Sequence, residues 1–424
     1  MKNILCFVFL LMIFLGKPTE YIDTGYTAFT GATLIDGSGS APKQNAVLLI
    51  HHDRIVAIGT NDKVNVPAGA EIKDVSGKFI IPGLINAHGH VGDVKGIEAG
   101  HYSKQNIIDN LSTYARYGIT TVVSLGGDGR EAESLRAVVD TVSTGHARLY
   151  IAGEVITGNT PDAAMKVIDS NARMGVDLMK IRVDDNLGTT PKMKEEVYRA
   201  VIHRSHEMGY KIATHMYYLD DAKKLLDAGS DMMAHSIRDR PVDKAFIRLI
   251  KEKKVCYCPT LTRELSTFVY ADTADFFSDT FFRREYDSST IAPLEDPVNM
   301  SKVKNSKAAK TYKQQLPIAM ANLKKLSDSG VTIVMGTDTG LPGRFMGYFE
   351  HVEMQMMQEA GMKPEQIIVS ATKNAATSLE LKDIGLLMPG YRADFVILND
   401  NPLTDIRNTQ KIVSVFIGGE EVRR

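Results

Sequence analysis

The chain has 424 residues and a mass of 46.7 kDa, too long for one small core and suited to a large α/β barrel with added material, or to two or three ordinary domains. Hydrophobic residues at 44% and charged residues at 24% exclude wholesale disorder, a collagen-like repeat and a coiled coil. Lys and Arg number 50 against 51 Asp and Glu, which leaves no basic footprint for nucleic acid, and three cysteines are too few for a disulfide framework.

Residues 1–20 open on Met1-Lys2-Asn3, continue as an unbroken apolar run from Ile4 to Gly16, and end in Lys17-Pro18-Thr19-Glu20. A positive start and a short apolar run predict an export signal, hence a periplasmic or secreted protein with no stable membrane span after processing. Cys6 lies inside the apolar run, so a lipoprotein anchor does not fit.

Residues 21–82 predict short strands separated by Asp-Gly-Ser-Gly, His-His-Asp and Val-Pro-Ala-Gly turns, and residues 385–424 predict more of the same. Two β-rich ends around a long middle point to one small β-sandwich built from both termini. Residues 83–384 alternate strand and helix. Candidate strands are 84–88, 120–125, 148–152, 178–183, 211–214, 231–234, 255–259 and 332–337, with amphipathic stretches such as 194–208 and 218–228 between them. Eight strands joined by helices is the pattern of a (β/α)8 TIM barrel. One spacing breaks the rhythm: Cys258 to Asp338 exceeds a single βα unit. The excess, near residues 265–315, is rich in Phe and Tyr and predicts a lid or a homo-oligomer contact. Cys256 and Cys258 alternate on a strand, too poorly placed to bond each other and best explained as buried core thiols.

Chemistry collects at the predicted strand ends. His88-Gly89-His90 follows an apolar run, and side chains two apart on a strand point the same way, so both imidazoles can reach one ion. His215, His235 and Asp338 each end a further strand, at the rim where barrel enzymes keep their sites. Lys180 lies in the apolar strand Val176-Asp-Leu-Met-Lys-Ile-Arg-Val183. Either it pairs with Asp184 or Asp185, or its amine, converted by CO2 to a carbamate, offers oxygens that bridge two ions. The glycine run Leu125-Gly-Gly-Asp-Gly129 lacks nucleotide-loop spacing, and Ser124 has no nucleophile-elbow frame.

The string Ile81-Pro-Gly-Leu-Ile-Asn-Ala-His-Gly-His90, Lys180, His215, His235, Thr337-Asp338 and the tail Gly385-Leu-Leu-Met-Pro-Gly-Tyr-Arg-Ala-Asp394 together resemble the amidohydrolase superfamily. The likeness is to its imidazolonepropionase-like and Xaa-Pro dipeptidase (prolidase)-like branch, and it spans nearly everything after residue 25. It implies a barrel with two divalent ions, best suited to Zn. His88, His90 and Asp338 would hold the more buried ion and His215 and His235 the outer one, with the Lys180 carbamate and a hydroxide between them. The expected reaction is hydrolysis of a C–N amide or peptide bond in a dipeptide, N-acyl amino acid or cyclic amide, with Asp338 shuttling the proton.

For the substrate, Arg182 shares Lys180's side of its strand and offers either a carboxylate contact or a salt bridge to Asp184 or Asp185. Tyr217 would donate to the oxyanion, with Tyr218 one residue of register away, and Arg263 is a further carboxylate candidate. The same metals would also serve a lactonase, phosphoesterase or deaminase. A non-catalytic metal-dependent binding protein is the reading from another class.

Overall fold

A computed structural model describes residues 25–139 and 145–423; the expected export segment, residues 1–20, lies outside them. The first strands are β1 (Tyr26–Leu34), β2 (Lys43–His51), β3 (Arg54–Thr60), β4 (Glu71–Asp74) and β5 (Phe79–Pro82). Their spacing follows the predicted turns.

The middle of the chain alternates as its pattern requires. Strands β6 (Leu84–Gly89), β7 (Ile119–Ser124), β8 (Arg148–Ile151), β9 (Met179–Arg182), β10 (Ile212–His215), β11 (Met232–Ala234) and β12 (Cys256–Cys258) are all paired in parallel. Between them run α1 (Lys104–Arg116), α2 (Arg130–Val139), α3 (Pro161–Met174), α4 (Glu195–Glu207), α5 (Leu219–Ala228) and α6 (Lys244–Glu252). These helices end where chemistry stops them. Ser103 and Thr160 cap α1 and α3 by accepting backbone N–H bonds, and Gly175 leaves α3 in the left-handed conformation.

Hydrogen bonding forms two sheets, β6-β7-β8 and β9-β10-β11-β12. Single parallel bridges join them: Ile156 to Ile181 on one side, Tyr257 to Ile333 and Gly89 to Thr339 on the other. The eighth segment, residues 332–339, is thus a linker of bridges and not a continuous strand. It still bonds both neighbours, through Val334 N to Tyr257 O at 3.0 Å and Ala87 N to Met335 O at 2.9 Å. Parallel pairing therefore runs round the whole ring. Ile85, Val123, Leu178, Ala213, Met232, Cys256, Cys258 and Val334 pack together as one buried cluster, alternate residues of each strand turned to the same side. Both cysteines are buried and free, as expected.

After β12 the chain makes α7 (Leu261–Leu265), α8 (Ser288–Ile291), α9 (Pro297–Asn305), α10 (Lys307–Asp328) and then α11 (Tyr348–Glu359). The aromatic excess expected to form an exposed lid or contact surface is instead internal. Tyr270, Phe277, Phe281, Phe282 and Tyr286 are all under 8% exposed. Phe281 meets Tyr117 beside α1, Phe282 meets Phe345 and Tyr348, and the neighbouring Phe276 meets Phe349, around the start of α11. Aromatic residues with partners this close bury themselves before they seek another molecule.

The chain ends in β13 (Phe395–Leu398), β14 (Ile412–Ile417) and β15 (Glu420–Glu421). These pair onto β5, so both termini join in one branched eight-stranded sheet, ordered β15-β14-β13-β5-β1-β2-β3 with β4 on β1. Phe29, Phe395 and Phe416 stack at its centre. A buried bidentate pair ties this sheet to the ring: Arg148 Nε to Asp394 Oδ2 at 2.7 Å and Nη2 to Oδ1 at 3.0 Å. Among the described residues no helix is long and apolar enough to cross a membrane.

Candidate metal centre

One cavity of about 240 Å3 at the C-terminal ends of the parallel strands is lined by His88, His90, Lys180, His215, His235 and Asp338. His88 and His90 share the end of β6 and the other four come each from a further strand end or its immediate continuation, so residues up to 250 positions apart meet only because the ring closes. Larger cavities lie between α1 and the insertion (about 410 Å3) and at the opposite end of the ring (about 360 Å3); neither contains these groups.

The nitrogens are aimed. His90 Nδ1 donates to Gly126 O at 2.9 Å, which a carbonyl can only accept, so Nε2 keeps its lone pair and faces Asp338 Oδ1 at 2.9 Å. His88 Nε2 stands 3.2 Å from the same oxygen. His215 donates Nε2–H to Asp184 Oδ2 at 2.8 Å, leaving Nδ1 for an ion. His235 Nδ1 pairs with Thr260 Oγ at 2.7 Å. One ligand atom each of His88, His235 and Asp338 lies within 4.8 Å of the others. Lone pairs and a carboxylate oxygen turned toward one point repel unless a cation sits among them, so the donor set fits a divalent first-row ion.

Electrostatics agree. Burial, with Lys180 nearby, pushes His88 down to about 3, and burial pushes His215 down to about 4 against the pull of Asp184. Burial and the neighbouring imidazoles hold His235 well below its usual value. Neutral imidazole is the form that ligates. Burial alone would raise Asp338, but Arg344 and His88 hold it well below the carboxylate range. Burial lowers Lys180 to about 8 although Asp338 opposes it. Its Nζ lies 3.3 Å from His88 Nε2. Asp184, one partner expected of a plain ion pair, is taken by His215, and Asp185 accepts from Tyr218.

Glycine makes two of these approaches possible. Gly126 sits at φ +125°, and a Cβ there would come 2.3 Å from Val155. Gly340, at φ +86°, lies where a Cβ would meet His90 O at 2.0 Å. The glycine run after β7 therefore serves to bring the Gly126 carbonyl to His90.

The expected substrate residues separate. Arg182 and Arg263 line the cavity. Arg182 donates Nη2 to Asn186 Oδ1 and not to Asp184 or Asp185, while Arg263 pairs with Glu264 at 2.9 Å. The two tyrosines are not brought into the cavity. Gln315 of α10 donates to the Tyr217 hydroxyl, and Arg238 covers the Tyr217 ring at 4.6 Å. The Tyr218 hydroxyl donates to Asp185 at 3.1 Å. Their places were set by partners far along the chain, which register alone does not reveal. Sequence reasoning also passes over Arg344, which lines the cavity and donates Nη1 to Asp338 Oδ2. Its only sequence signal is its place in the loop after the eighth rim segment.

Residues 79–422 match the Amidohydrolase family. The chain belongs to that family. This amidohydrolase is 24% identical over 381 residues to the imidazolonepropionase of Cutibacterium acnes, with 84% of each chain covered. It is 35% identical to the ochratoxinase of Aspergillus niger over 117 residues, 24% of this chain. Among solved structures it superimposes on a Xaa-Pro dipeptidase with a TM-score of 0.73 and 21% identity, covering 93% of this chain and 99% of that one. The A. niger ochratoxinase gives 0.71 and 19%, covering 94% and 95%. The amidohydrolase is thus a metal-dependent hydrolase acting on carbon–nitrogen bonds.

Proposed function

We propose that this amidohydrolase cleaves an amide or peptide bond in a small substrate, a dipeptide or N-acyl amino acid, on a (β/α)8 barrel completed by a β-sandwich from both chain ends. The convergence of four imidazoles, Lys180 and Asp338 on one rim cavity carries the reading. His88, His90 and Asp338 would hold one divalent ion of the zinc type and His215 and His235 a second, with Lys180 between them as its carbamate. Bound there, the pair supplies a water acidified toward neutral pH and a polarised carbonyl. Export through residues 1–20 belongs to the same proposal.

The chain's own groups do the rest. Gly126 O, Asp184 and Thr260 fix the rings of His90, His215 and His235, so no rotamer freedom is lost when ions enter. Asp338 takes the proton of the attacking water and delivers it to the leaving nitrogen, which departs poorly as an anion. Burial lowers Lys180 to about 8, so a fraction of its amine is neutral at physiological pH, the form that CO2 carbamylates.

Lys180→Ala tests this. The variant should hold less than the full metal complement by elemental analysis, lose nearly all turnover on a dipeptide and N-acyl amino acid panel, and recover activity saturably with acetate or propionate. Full metal content with no rescue would remove the bridging role.

A further inference from the structure

Three guanidinium groups face the ligand cavity, and they are not side by side. Arg182 stands on β9, the fourth strand of the ring. Arg344 follows the eighth segment, four places on in the strand order, and Arg263 follows β12, the seventh. The imidazoles lie between the two sides. Asp338 is the carboxylate that lines this cavity with them.

Arg263 is already served, by Glu264 and by the Tyr312 ring at 4.5 Å. The other two are left incomplete. Arg182 Nε is buried without a hydrogen-bond partner. Arg344 donates Nε to Ser266 Oγ at 3.1 Å and spends Nη1 on Asp338. The other oxygen of Asp338 belongs to His88 and His90. A cation held there draws the carboxylate's charge to itself, and Arg344, part-buried in the cavity wall with Arg263 in the same lining, then needs a second anion.

The loop that carries Arg344 is built to stay in place. Two tyrosines of the insertion donate to its backbone on either side, Tyr270 to Gly343 O at 2.5 Å and Tyr286 to Met346 O at 2.7 Å. That is rigid support from remote residues for one guanidinium, which is how specificity contacts are made.

We propose that the substrate is dianionic: a dipeptide or N-acyl amino acid whose amine half is aspartate or glutamate, with one carboxylate on Arg182 and the other on Arg344. The inference rests on the amide-hydrolase reading above for the bond broken, but not for the anion subsite. A cavity of about 240 Å3 lies below the roughly 300–1,000 Å3 of common ligand sites and suits a substrate of this size.

The test uses the full-length, metal-loaded protein and two isosteric dipeptides, Ala-Glu and Ala-Gln. The wild type should prefer Ala-Glu by roughly 30-fold in kcat/KM, the worth of one hydrogen-bonded charge. Arg344→Gln should bring that ratio near one whatever happens to the absolute rates, and Arg344→Lys should keep part of it. Calorimetry with glutarate and its monoamide gives a readout independent of turnover. Glutarate should bind at least about 10-fold tighter to the wild type, and both Arg344→Gln and Arg182→Gln should lose the difference. Equal rates on the two dipeptides, or an Arg344→Gln variant that slows both while keeping their ratio, would show a residue that merely positions Asp338. If no dipeptide is hydrolysed while glutarate still discriminates, the amide-hydrolase reading fails and the dianion site stands. A melting curve for each variant separates lost binding from lost folding.

Discussion

Asp338 adopts φ +62° and His235 φ +98°, backbone that residues other than glycine enter at a cost of about 1–3 kcal/mol. For Asp338 the compensation is visible. The hydroxyls of Thr337 and Thr339 on either side donate to one oxygen of Glu350, at 2.7 and 2.6 Å, and Asn86 donates to it at 2.6 Å. A clasp on both neighbours fixes the backbone there and keeps the carboxylate in the cavity wall, where it can ligate and move a proton. Asp338→Asn should therefore keep near-normal metal content by elemental analysis yet lose activity by several orders of magnitude, since an amide cannot carry the proton. Asp184→Asn tests the orientation of His215. The ring loses the anion that fixes its tautomer, and metal affinity, read by competition with a chelator, should fall about 10–100-fold. An unchanged affinity would mean that the ring is held by packing alone.

At the scale of elements, the joint between ring and terminal sheet rests on Arg148 of β8 and Asp394 just before β13, both under 5% exposed at the side chain. Asp394 also accepts from Gly418 N at 2.6 Å. Arg148→Met leaves that carboxylate buried without its cation and should cost about 3–5 kcal/mol by chemical denaturation; a loss below about 1 kcal/mol would show that water reaches the joint. The insertion is an element of the same kind. Phe282, with no exposed surface, packs among Phe276, Tyr286, Phe345 and Tyr348. Phe282→Ala should cost about 3–5 kcal/mol and loosen the Arg344 loop braced by Tyr286. Excising the insertion would then unfold the site, not uncover it.

Across the whole molecule, buried carboxyls set a pH dependence. Burial raises Glu350 to about 7, with the threonine hydroxyls opposing, and Glu353, which accepts from Leu261 N and Thr262 N, likewise to about 7. Both ordinarily titrate near 4.5. Between about pH 4.5 and 7 the folded protein keeps protons that the unfolded chain has released. Stability therefore falls as pH rises through that window and levels above it. Glu350→Gln cannot ionise, so its stability relative to the wild type, by denaturant titration, should improve steadily from pH 5 to 7.5. A constant difference would mean that Glu350 stays ionised in the fold.

The sequence by itself determined the strand–helix alternation, the β-rich ends, and the rim residues His88, His90, Lys180, His215, His235 and Asp338. Those signals are local: an apolar run fixes a strand, and the residue that ends it falls at the rim. Tertiary structure decided what each side chain meets. Asp184 chose His215 over Lys180 across 31 residues, Gln315 claimed Tyr217 across 98, and Tyr286 reached Met346 across 60. The insertion's aromatics were countable in the sequence, but whether they faced solvent depended on α1 and α11 arriving beside them. Arg344 shows the limit most clearly, because a loop arginine has no periodicity, and only the closing of the ring brings it to the cavity that Arg182 also lines.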